Sequence, residues 1–265
     1  MVSTINVPFK YQKELEELRM FDDDFFRKVA KDKRIIEVVL EAILGNDVHI
    51  HEHHTQYDMN YAPRKSIVPD AYVITNKGYT SIEVERHKQR LIPKRARYCS
   101  SLLDVDSSKK GMEYEELKPI KVIFLCEKDP FERGLPYYCE RDYIEELGCP
   151  YDNEREIIYV NGEYRGNDPI GILVHDLNQT RADEMYNSEL RNVMRYYKET
   201  EEGVKEMCEI FERIAVRNKE EGIQESNVNA IRNVMETLNY TLKEAMTLLK
   251  IPKEEYDMYK ELVLK

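Results

Sequence analysis

Residues 120–126, IKVIFLC, constrain the fold more than any other stretch of this chain. The run is short and continuously apolar except for Lys121, and it is rich in β-branched side chains. That pattern predicts a fully buried central strand, covered on both faces, and so calls for helices on both sides of a sheet. Upstream, SIVPDAYVIT (66–75) and YTSIEVER (79–86) flank Asn76-Lys77-Gly78, which predicts a β-hairpin. Tyr137 to Glu140 and Glu156 to Val160 read as shorter strands, and Val48 to Tyr57 as a further strand-like stretch.

Tyr11 to Leu44 reads helical. Apolar residues at 35, 36, 39, 40, 43 and 44 form a 3.6-period stripe, with Gly45 as a stop and Asp22, Asp23 and Asp24 fronting an earlier helix through Phe25 and Phe26. Pro93 suits the first turn of a helix running to about Leu103, and the chain reads helical again from Asp168. The resulting order predicts an α/β fold with a mixed sheet flanked by helices.

After about Glu199 the text turns rich in Glu, Lys and Arg. This predicts a domain at 1–200 and a helical extension at 201–265, with VNAIRNVMETLN and TLKEAMTLLK as short helices and Pro252 opening a third. The charged segment 200–225 reads as a solvated helix or a homo-oligomer contact.

No stretch approaches the roughly 20 apolar residues of a membrane span, and MVSTINVPFKYQKELEELRM lacks a secretory apolar core. The five scattered cysteines fit neither a disulfide framework nor a thiolate zinc site. A soluble, cytoplasmic protein without a membrane partner is expected.

Asp70 lies on the first hairpin strand, with Glu83 and Glu85 on the second. Residues two apart on a strand share a face, so Glu83 and Glu85 point together and Asp70 converges on them across the turn. Converging carboxylates suit Mg²⁺, or Mn²⁺ or Ca²⁺, which take oxygen ligands. Net charge is −11, yet Arg86, Lys88, Arg90, Lys94, Arg95 and Arg97 follow with no acid among them. An acidic protein with one basic stripe still holds a polyanion there, although a solvated helix face produces the same text. HIHEHH (49–54) offers histidines but no partner ligands at matched spacing, and a polar strand face explains it as well.

The run RKSIVPDAYVITNKGYTSIEVERHKQRLIPKRARYCSSLLD, with KGMEYEELKPIKVIFLCEKDPFERGLPYY after it and DDDFFRKVAKD and LEAILG before it, resembles the PD-(D/E)XK nuclease family transposases, also called recombination-promoting nucleases. The resemblance covers roughly residues 20 to 200, and EAMTLLKIPKEEYDMYKELV is similar to the short helical tail of many members. It implies a restriction-endonuclease-like core, a metal-dependent deoxyribonuclease activity, DNA as partner and a link to recombination or mobile elements. Asp70, Glu83 and Glu85 fall on the family's catalytic and metal-binding positions, Arg95, Arg97 and Tyr98 on the Arg and Tyr of the following helix, and Asp23 on the rim of the site. Arg64, Lys65, Arg86 and Lys94 join the residues expected to hold DNA. Two departures stand out. Glu85 occupies a position where the family usually has Gln or Lys, making it a further metal ligand, a general base, or the mark of a catalytically weak DNA-binding or partner-binding protein. Cys99 stands where an aromatic is frequent.

Overall fold

The computed structural model describes residues 9–55, 57–59, 66–87 and 93–264. The chain divides into two compact units, Met1–Lys205 and Glu206–Lys265. The first is mixed α/β. Its sheet comprises β1 (Ile50–His54), β2 (Ala71–Thr75), β3 (Gly78–Glu85), β4 (Ile120–Cys126), β5 (Tyr137–Glu140) and β8 (Arg155–Asn161), in spatial order β1-β2-β3-β4-β8-β5. A minor hairpin pairs β6 (Tyr143–Ile144) with β7 (Cys149–Pro150).

β4 is the interior strand its apolar text calls for. It runs parallel to both β3 and β8, and every residue but Lys121 is buried. The β2–β3 hairpin closes through a two-residue connection, with Thr75 opposite Gly78. Gly78 sits at φ 102°, and a Cβ there would lie 2.0 Å from the Pro119 carbonyl oxygen, so both backbone and neighbour demand glycine.

Around the sheet lie α1 (Gln12–Glu17), α2 (Asp23–Val29), α3 (Lys33–Leu44), α4 (Pro93–Ser107), α5 (Pro169–Asn178) and α6 (Ser188–Glu199). The Tyr11–Leu44 region is thus three helices. Asp32 caps α3 by accepting from the Arg34 amide, and Gly45 at φ 92° ends it. α4 lays Ala96, Cys99, Leu102 and Leu103 on a sheet face built from Tyr72, Ile120, Val122, Phe124, Ile157 and Tyr159. The other face buries Ala71, Val73, Ile82, Val84, Ile123, Leu125, Ile158 and Val160. Among the described residues, no helix is long and apolar enough to cross a membrane, and none of the five cysteines forms a disulfide.

α7 (Glu201–Leu238) is one helix of 38 residues and absorbs VNAIRNVMETL, predicted to be separate. Nothing between 201 and 238 breaks it: there is no proline, and its two glycines, Gly203 in the first turn and Gly222 in the interior, cost only about 1 kcal/mol each in a helix. In the second unit its last turns join α8 (Leu242–Leu248) and α9 (Tyr256–Val263) around Ile231, Ala245, Met246, Ile251 and Tyr259.

Candidate active site

The hairpin register decides where the acids meet. Ala71 pairs with Ile82, so the next residue back, Asp70, falls opposite Glu83. Glu83 and Glu85 pair in register with Phe124 and Cys126 of β4 and share the face that α4 covers. All three carboxylates are buried, at 3–5% exposure, where an isolated charge is costly.

Two arginines from different helices reach them. Arg27 of α2 donates from Nε to Asp70 Oδ1 at 2.5 Å. Arg95 of α4 donates from Nη1 to Glu85 Oε2 at 2.6 Å and from Nη2 to Glu83 Oε2, while its guanidinium lies 5.6 Å from the Phe124 ring centre. Asp70 Oδ2 also accepts from the Val84 amide at 2.8 Å, Glu85 Oε1 from the His87 amide at 3.0 Å, and Glu83 Oε1 from Cys99 Sγ at 3.4 Å.

Asp23 stands at the start of α2, near enough to Asp70 and Glu85 to feel their charge, and its Oδ1 is buried without a hydrogen-bond partner. Burial, and then the charge of Asp70, push its carboxyl above the ordinary range. Asp70 is likewise raised by burial, against the pull of Arg27. Burial raises Glu83 despite Arg95, with Asp70 adding to the effect. Burial and the Glu83 carboxylate push the Cys99 thiol well up, so it stays a neutral donor. Among the described residues, Arg27 and Arg95 are the direct partners of these acids, and the more distant charge of Arg86 also favours ionisation of Asp23, yet burial still raises Asp23, Asp70 and Glu83.

Arg86 points elsewhere. Its guanidinium bonds Asp22 at 2.7 Å and Glu127 Oε2 at 3.0 Å, and Glu127 is shared with Arg19 at 2.7 Å. Lys94 and Arg97 are exposed on α4, whereas Tyr98 is half-buried against the core beneath. Arg64 and Lys65, and with them Lys88 and Arg90 of the basic run, lie outside the described residues.

In the HIHEHH stretch a bulge between Ile50 and Glu52 breaks the alternation of the strand. His54 stacks on Tyr57 and Tyr72, and His53 is half-buried with Nε2 unpartnered. Among the described residues, no three His, Cys, Asp or Glu side chains are grouped so as to hold a metal ion as they stand.

Sequence reading did not assign Arg27 to the site, nor Cys99 as a partner of Glu83. Arg27 lies 43 residues from the acid it pairs with, and only its place in the DDDFFRKVAKD block hinted at a role. The chain matches no family model, no curated protein and no solved structure.

Proposed function

We propose that this protein is a divalent-metal-dependent nuclease that hydrolyses DNA phosphodiester bonds, built on a restriction-endonuclease-like core of the PD-(D/E)XK type. One observation carries the reading: Asp23, Asp70, Glu83 and Glu85 are gathered at the end of β3, where among the described residues Arg27 and Arg95 are the direct ion-pair partners and Arg86 adds its charge at Asp23 from its own pairs with Asp22 and Glu127. Carboxylates buried together repel one another unless a cation sits among them, and acids raised in this way mark a candidate functional site. A parallel β3–β4 pair next to an acid-bearing hairpin supports the finer fold assignment.

The donor set fits a hard divalent ion. Carboxylate oxygens are its preferred ligands, and the orphaned Asp23 Oδ1 lacks any other partner. Asp70, Glu83 and Glu85 would hold it, with Asp23 at the rim; when bound, such an ion activates water and offsets charge on a phosphodiester under attack. Glu85 supplies a carboxylate beside Glu83, able to ligate or to accept a proton from water. Lys94 and Arg97 face solvent on α4 and hold the phosphate backbone without reading bases. Five cysteines without a disulfide suit a reducing, cytoplasmic setting.

A second reading, a nuclease-fold protein that binds DNA or a partner without cutting it, draws on Arg95. By spanning Glu83 and Glu85 it already supplies a counter-charge where an ion would sit. Plasmid nicking with Mg²⁺, Mn²⁺ or Ca²⁺, set against Asp70→Ala, separates the two. The nuclease reading expects metal-dependent nicking that falls at least about 100-fold in Asp70→Ala. DNA binding with no nicking under any of the three metals moves the second reading ahead.

A further inference from the structure

Each of the six oxygens of Asp70, Glu83 and Glu85 meets a donor: Arg27 Nε and the Val84 amide at Asp70, Cys99 Sγ and Arg95 Nη2 at Glu83, the His87 amide and Arg95 Nη1 at Glu85. A cation coming to these oxygens therefore meets a donor already in place. The two amides belong to the backbone at the end of β3, and Cys99 is buried in α4. The amides move only with the backbone, and Cys99 is a short side chain packed in the core that carries no charge to be exchanged for a cation's. Arg27 and Arg95 can leave, because both are long side chains with exposures of 36% and 37%. Arg27 covers one oxygen of one acid. Arg95 spans two acids with a single positive charge, in the space that an ion shared by Glu83 and Glu85 would need.

Resting on the metal-dependent reading above, we propose that Arg95 is an exchangeable latch: its guanidinium and a divalent cation compete for Glu83 and Glu85, and a nucleic-acid phosphate draws Arg95 away and so tightens metal binding. The side chain has a destination. Lys94 and Arg97 lie exposed beside it on α4, and a phosphate held there is within the chemistry of a guanidinium fork, which matches phosphate oxygens as well as it matches carboxylates. A lysine would lack this fork and could not span both acids. Exchange keeps the buried carboxylates partnered at every stage, by Arg95 before the cation arrives and by the cation afterwards. Linkage makes the effect reciprocal: whatever factor DNA adds to metal affinity, metal adds to DNA affinity. Arg95 is a positioning residue in this scheme and takes no part in bond breaking.

Calorimetric titration of Ca²⁺ into the full-length protein, with and without a short DNA duplex, tests the latch. In the wild type the duplex is expected to tighten Ca²⁺ binding by roughly 5- to 150-fold. Arg95→Gln keeps the stem and removes the charge, so it should bind Ca²⁺ tighter than wild type without DNA and lose its response to the duplex. Arg95→Lys, with a point charge but no fork, should fall between. Asp70→Ala subtracts Ca²⁺ bound elsewhere on the acidic surface, and thermal melts establish that each variant is folded. A latch that stabilises only the fold would give unchanged or weaker Ca²⁺ binding in Arg95→Gln, and that result overturns the proposal. So does a wild-type affinity unmoved by the duplex, even if no Arg95 variant folds. If Ca²⁺ binds in an Asp70-dependent way but these outcomes fail, the latch falls alone. If none of the proteins binds Ca²⁺, the metal-dependent reading falls and takes the latch with it.

Discussion

Glu156, at the start of β8, is bracketed by Lys121 at 3.1 Å and by Arg141 Nε at 2.8 Å, beside a cleft of about 440 Å³ that Asp152 and Arg155 also line. At the far end of the neighbouring strands, Asp23, Asp70, Glu83 and Glu85 share Arg27 and Arg95. The first site has two cations bonded to one half-buried acid; in the second, among the described residues, two directly bonded arginines serve Asp70, Glu83 and Glu85, and Asp23 feels Arg27 and Arg86 only through space. The outcome follows the ratio. Burial opposes ionisation of Glu156, but Arg141 and Lys121 overcome it and hold the carboxyl below its usual range. Burial wins at Asp23, Asp70 and Glu83, which are all raised. Glu127, next to the acidic cluster but served by Arg86 and Arg19, also ends lowered despite its burial. The contrast marks the acid cluster at the end of β3, and not Glu156, as the place where a cation from outside would change most, which the following measurements test.

The largest expected effect is thermal. Saturating Mg²⁺ or Mn²⁺ at about 100 times Kd should stabilise the sheet-bearing unit by about 2.7 kcal/mol. For a unit of this size that is a rise in melting temperature of roughly 5–10 °C. The rise should vanish in Asp70→Ala and persist in Glu156→Gln. Metal-induced stabilisation lost equally in both variants would erase the distinction between the two ends.

Next comes a difference of sign without metal. Glu83→Gln removes a charge that burial penalises and leaves Arg95 paired to Glu85, so stability at pH 7 should rise. Glu156→Gln breaks a satisfied pair and should lower it by about 1 kcal/mol. The pH dependence separates them further. Glu83 has a folded-state pKa above its unfolded value of 4.5, so its contribution becomes unfavourable as pH rises from 4.5 through the folded value. Glu156 has a folded-state pKa below 4.5, so its stabilisation is present above that pH and is lost as pH falls through the folded value. Metal-free melting curves across that range, with each Gln variant, read both signs.

Glu85→Gln keeps shape and removes charge, and should weaken metal binding about tenfold or more. Unchanged affinity and nicking would make Glu85 a tolerated variant of the position. The smallest effect concerns salt. Lys94→Ala with Arg97→Ala should reduce the slope of log DNA affinity against log salt by about 2, uniformly across sequences, while Lys121→Ala with Arg141→Ala should leave it alone. Equal reductions from both pairs would show a diffuse electrostatic effect instead of a phosphate track on α4.

What the sequence determined by itself was local. The period-2 spacing of Glu83 and Glu85 puts them on one face, the two-residue connection before Gly78 sets a register that brings Asp70 opposite Glu83, the apolar run 120–126 demands an interior strand, and the stripe of 35, 36, 39 and 40 makes one face of α3. Each follows from backbone geometry over a few residues. The counter-charges were decided elsewhere. The text grouped Arg86 with Arg95 in one basic run, but the fold turns Arg86 to Asp22 and Glu127 and turns Arg95, one helix away, to Glu83 and Glu85. Arg27 reaches Asp70 only because α2 packs on β3, and Glu156 is satisfied because β4 and the segment after β5 bring Lys121 and Arg141 beside it. A charge acts through space with no periodicity along the chain, so which acid goes short of a partner is settled when distant helices and strands are brought together.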